Sequence, residues 1–183
     1  MKRTAPLLLL FISTLLVFSS IAMSLAVPIA IAGNNNWSSI DIQVDHTVQI
    51  RDGGLVVIND TFRLSAMQGQ SVESLQDFSA GFPFEYKSNL DYCFAFEESN
   101  PAEMMEVVHD AGLGTVGFYG VNVIFPGAGV DLSEGGSYNF TVVFVFSNLV
   151  SSEVFATNGD ETAFFTAAFP TYPSLTHDSS CYV

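Results

Sequence analysis

Between Ser137 and Phe146 an apolar residue stands at every second position: Tyr138, Phe140, Val142, Phe144 and Phe146. A period of two puts these side chains on one face of an extended strand, whereas a helix would scatter them around its axis. Ile40, Ile42, Val44, Val48 and Ile50 repeat the pattern, and His46 falls on the same apolar-face parity. Asp52-Gly53-Gly54 then supplies a tight turn, and Leu55 to Phe62 begins a second strand, which predicts a hairpin. Leu75 to Phe84 and Leu90 to Phe96 read as further strands, the second with Leu90, Tyr92, Phe94 and Phe96 on one face.

Met104 to His109 fits either a strand or a short helix. Gly112-Leu113-Gly114 turns into a strand ending at Phe125 before Pro126-Gly127, and Ala163 to Phe169 follows an Asn158-Gly159-Asp160 turn. Strands recurring every ~8–12 residues without amphipathic helices predict an all-β fold, an antiparallel β-sandwich. Residues 37–178 would form one such domain, with the Tyr138–Phe146 face in its core.

A different pattern precedes these strands. Lys2 and Arg3 open a run without charge from Thr4 to Asn36, apolar through Leu7–Ile12 and on to Ile31. A positive start followed by a long apolar stretch is an export signal, and Ala30-Ile31-Ala32 offers the small residues of a cleavage site. Residues 4–32 as a helix would be roughly 43 Å long at 1.5 Å per residue. That exceeds the ~30 Å hydrocarbon core, so an uncleaved anchor would also span. The chain therefore divides into a hydrophobic signal peptide or signal-anchor helix, 1–32, and an extracytoplasmic β domain, 33–183, secreted or anchored to the membrane through residues 4–32.

That division sharpens the charge. The 183-residue chain has a formal net charge of −14, but residues 33–183 hold only three basic residues (Arg51, Arg63 and Lys87) against 19 acidic ones. A surface of net −16 argues against nucleic acid, which needs clustered Lys and Arg. The 17 Phe and 6 Tyr argue equally against disorder.

Little in the sequence points to catalysis. There is no G-x-S-x-G, H-E-x-x-H or phosphate loop. His46, His109 and His177 lack metal-ligand spacing, and His46 reads as a satisfied core histidine. No catalytic residue, metal or cofactor is therefore assigned. Asp41 with Asp45, or Glu97 with Glu98, could supply the carboxylate pair of a glycoside hydrolase, although acids at such positions are more often solvent-facing. Asn158-Gly159-Asp160-Glu161 gathers oxygen ligands of the kind calcium prefers, without EF-hand spacing. Cys93 and Cys181 read most simply as a disulfide in an exported domain; two buried free thiols, or pairing outside the chain, are the alternatives. Asn36-Trp37-Ser38, Asn59-Asp60-Thr61 and Asn139-Phe140-Thr141 are acceptor sequons for N-glycosylation, with Asn139 on the face opposite Tyr138 and Phe140.

Three segments carry a family resemblance. Val44-Asp45-His46-Thr47-Val48-Gln49-Ile50 with Leu55–Asn59 resembles the opening hairpin of the amino-terminal luminal β domain of ribophorin I, a non-catalytic oligosaccharyltransferase subunit. Phe125-Pro126-Gly127 through Gly135-Gly136 to Val142 is similar to that domain's proline, loop, glycine and long-strand region. Phe169-Pro170-Thr171-Tyr172-Pro173-Ser174 is similar to its closing aromatic and proline segment. The resemblance covers about residues 40–180 and implies a β domain without catalytic residues. The family's second luminal β domain and its following anchor have no counterpart in this sequence. The expectation is a non-enzymatic module acting as a scaffold or binding surface for a protein partner. The alternative is a secreted hydrolase acting on glycans through a carboxylate pair.

Overall fold

The computed structural model describes residues 37–157, 160–176 and 180–182, with 155–157, 160–164 and 180–182 described as backbone only. The chain divides after Ala32, and all that follows concerns the second unit. The expected signal or anchor segment, Asn36 and His177 lie outside the described residues. Among the described residues, no helix is long and apolar enough to cross a membrane.

The molecule is mostly antiparallel β, as the alternation requires. Strands β1 (Ile40–Ile50) and β2 (Val56–Ala66) form the expected hairpin, paired along their full length from Ile40↔Ala66 to Ile50↔Val56. The turn between them depends on Gly53 and Gly54, whose φ of 79° and 78° is left-handed backbone open to glycine at little cost. Next come β3 (Val72–Leu75), β4 (Asp77–Pro83), β5 (Leu90–Glu97) and β6 (Met104–Ala111). The ambiguous Met104 segment is thus a strand. β7 (Phe118–Ile124), β8 (Val130–Leu132) and β9 (Ser137–Phe146) follow, then β10 (Val150–Thr157), β11 (Asp160–Ala167), β12 (Ser174–Leu175) and β13 (Ser180–Tyr182).

Nine strands join one curled sheet in the order β12-β4-β7-β6-β5-β9-β2-β1-β13, with β3–β8 and β10–β11 as separate pairs. The pairing of β1 with β13 is parallel, and the other ladders are antiparallel. Strand β6 makes the curl. Its first two residues pair with β5 (Phe96↔Met104, Ala95↔Met105), and from Glu106 onward it pairs with β7.

The two halves of the sheet consequently face one another across an aromatic core. Phe78 and Phe82 of β4 meet Phe62 at 4.7 Å, Phe140 at 5.3 Å, Phe144 at 5.3 Å and Phe146 at 4.9 Å between ring centroids. Most of these pairs are edge-on, the geometry favoured by ring quadrupoles. Phe140, Val142, Phe144 and Phe146 are buried as expected, and Tyr138 packs half-buried against them.

One sequence expectation, that Leu90, Tyr92, Phe94 and Phe96 share a face, is broken by a register shift between Leu90 and Tyr92: Leu90 packs against the core while Tyr92 is 69% exposed. The buried residue of β5 is Ala95, with Cys93 half-buried beside it. The aromatic set Tyr92, Phe94 and Phe96 therefore lines the outer face. Small residues occupy the inner positions because β9 already fills that layer with three phenylalanines.

Candidate binding surface and a buried histidine–aspartate pair

Antiparallel register places the outer-facing residues of four strands in rows. Val57 of β2 stands beside Val145 of β9, and Val145 beside Tyr92 of β5. The next row is Asn59, Val143 and Phe94, and the third is Thr61, Thr141, Phe96 and then Met104 of β6. The β5–β6 end of this face is apolar: Tyr92 and Met104 are 69% and 59% exposed, and the Phe94 and Phe96 rings stack at 6.5 Å. Exposed carboxylates border it at Asp91, Glu98, Glu103 and Glu106.

The β2–β9 end is mixed, with Val57, Val143 and Val145 beside Asn59, Thr61 and Thr141, and its hydroxyls are tied together. The Thr61 and Thr141 hydroxyls share a hydrogen bond of 2.8 Å, and Thr141 donates to Glu98 Oε1 at 2.6 Å. Thr141 is only 3% exposed, and this chain of bonds satisfies its hydroxyl. Asn139 is exposed, as its parity predicted, and Asn59 is half-buried on the same face.

On the inner face, one polar pair interrupts the hydrocarbon. His46 of β1 and Asp60 of β2 are register partners, and His46 Nδ1 lies 2.5 Å from Asp60 Oδ1. Their side chains are 1% and 2% exposed. His46 is therefore the core residue that its parity predicted, but it is only half satisfied: its buried Nε2 has no hydrogen-bond partner among the described residues. Burial pushes the Asp60 carboxyl above its ordinary range, and the bond to His46 opposes that shift. Sequence reasoning missed Asp60, although it shares the parity of Ile58, Phe62 and Leu64.

Cys93 of β5 lies near this pair. Burial, and then the charge of Asp60, push its thiol up to about 12. Cys93 is a free thiol. The backbone of Cys181 pairs with Val44 at the far edge of the sheet, and its side chain lies outside the described residues. Along the sheet, β9, β2 and β1 separate β5 from β13.

The remaining sequence candidates are dispersed. Asp41 and Asp45 are exposed outward positions of β1, four residues apart on one face, which is roughly 13 Å along a strand. Glu97 accepts from Ser99 at 2.6 Å and, with Glu103, lines a cavity of ≈ 60 Å³. A small-molecule site usually encloses roughly 300–1,000 Å³. His109 is exposed and within 3.1 Å of the Tyr119 hydroxyl; beside it Lys87 pairs with Asp110 at 2.5 Å. The calcium-like turn at 158–161 lies outside the residues whose side chains are described. Among the described residues, no group of three or more His, Cys, Asp or Glu is placed to hold a metal ion. No family model matches the chain, and no curated protein matches it.

Proposed function

We propose that residues 33–183 are a non-enzymatic β module, exported or held at a membrane by residues 1–32, that works as a scaffold or binding surface. In this reading the curled sheet is a two-layer sandwich, of the kind implied by the resemblance to the ribophorin I luminal domain. The observation that supports a binding role most is the outward aromatic strip. Burying exposed Tyr92 and Met104 and half-buried Phe94 and Phe96 against a partner would recover hydrophobic free energy that the isolated domain forgoes. The carboxylates around the strip favour a partner that is apolar at its centre and basic at its rim.

An array of peptides alternating apolar with basic residues tests this reading on the full chain. Expected is binding that weakens with added salt and is lost in the Tyr92→Ser/Phe94→Ser double variant. Equal binding of wild type and variant, or none by either, overturns it. The hydrolase reading is tested in parallel with aryl glycosides: turnover abolished by Glu97→Gln or Glu98→Gln would replace the module with an enzyme.

A further inference from the structure

We propose that Asn59 and Asn139 are N-glycosylation sites usable only before β2 and β9 pair, and that their glycans then fence the aromatic strip on its β2–β9 side. This rests on the export reading above. The acceptor signal consists of the asparagine amide and the hydroxyl two residues on. In the folded sheet both hydroxyls are committed: Thr61 and Thr141 bond to each other, and Thr141 also bonds to Glu98.

The backbone is committed as well. Asn59 is laddered to Thr47 on one side and to Val143 on the other, while Asn139 is laddered to Arg63 and its carbonyl accepts the Glu98 N–H at 3.1 Å. A transferase that must bend the sequon around its own site cannot take a segment fixed in the middle of a sheet. In the unpaired chain these constraints do not exist, and β9 lies about 80 residues downstream of β2.

Once the sheet forms, it accepts the product. The neighbours of Asn59 in sequence, Ile58 and Asp60, are buried, so Asn59 itself faces outward; the same holds for exposed Asn139 beside buried Phe140. Asn59 stands two strand spacings from Phe94, roughly 10 Å, so the first sugars border the aromatic strip and leave its β6 side open. The transfer forms a bond from the asparagine Nδ2 to the anomeric carbon of a lipid-diphosphate-linked oligosaccharide. The anomeric C–O bond breaks, the lipid diphosphate leaves with the electron pair, and the amide proton passes to solvent.

The test uses the full chain with an extra acceptor, Asn-Gly-Thr, appended after Val183 and made in a secretory host. Expected are glycans on the appended site and on both Asn59 and Asn139, the latter two lost in N59Q and N139Q respectively. An empty appended site overturns the export reading and the proposal with it. A filled appended site with Asn59 and Asn139 empty overturns the proposal alone.

A second arm tests the order of events. Full chain made without glycans and folded in detergent is offered solubilised transferase and its lipid-linked donor. Transfer to Asn59 and Asn139 should trail the appended site by about tenfold or more, since only roughly 10⁻³ or less of a stable domain is open at any moment. Opening the sheet with urea in the same assay should restore it. Equal modification of folded and opened chains overturns the inference.

Discussion

The His46–Asp60 pair ties the stability of the molecule to pH. The folded state raises the carboxyl of Asp60 chiefly by desolvation, so it binds the Asp60 proton more tightly than the unfolded chain does. This contribution is fully present below the ordinary value of 3.8 and is lost as pH rises through the raised one. In urea unfolding across that window, wild type should lose stability with rising pH while Asp60→Asn should show a flatter profile. A steeper slope in Asp60→Asn would mean that the carboxylate form is the one the fold favours. Cys93 gives a second residue-scale test. With its thiol pushed up to about 12, it should react slowly with iodoacetamide at pH 8 when folded and rapidly in urea. Equal rates would place Cys93 outside the core.

At the scale of the strand, the alternation in β1, β2 and β9 made these elements legible, because each is long enough to repeat its period several times and buries one face. What alternation cannot supply is which face turns inward. In β5 the set Leu90, Tyr92, Phe94 and Phe96 reads as one face, yet a register shift after Leu90 turns that residue to the core and the three aromatics outward, over a layer filled by Phe144 and Phe146 some 50 residues downstream. Strands β3, β8, β12 and β13 have four residues or fewer, too short to show a period. Asp60 escaped notice for a related reason: a carboxylate on an apolar parity makes sense only once register sets it beside His46.

The two faces can be separated by mutation. Phe144→Ala, in the core, should cost ~3–5 kcal/mol in urea unfolding, whereas Phe94→Ala, on the outer face, should cost much less. A comparable loss at both would refute the assignment of faces. Gly81 and Gly120 mark another constraint, since they face each other across β4 and β7. A Cβ on Gly81 would come within 1.9 Å of the Tyr119 carbonyl oxygen. Gly81→Ala should therefore split these backbones and lower the melting temperature, although it adds only a methyl group.

Across the whole molecule, charge of one sign dominates. Only three basic residues oppose 19 acidic ones in residues 33–183, so the compact state concentrates mutual repulsion. Raising salt from about 10 mM to about 150 mM shortens the Debye length from ~30 Å to ~8 Å, and the unfolding midpoint should rise with it. A flat or falling midpoint would show that local ion pairs outweigh the net field. The arrangement of the ends has a further consequence. Strand β13 runs parallel to β1, with Ser180 beside Gln43 and Tyr182 beside Asp45, so the last described strand lies next to the first. Because that pairing is parallel, the start of β1 lies five residues back along the strand from the level of Tyr182, roughly 17 Å away on the same side of the sheet. A circular permutant whose linker is long enough to run back along β1, and which reopens the chain in the Asp52-Gly53-Gly54 turn, should therefore retain every ladder.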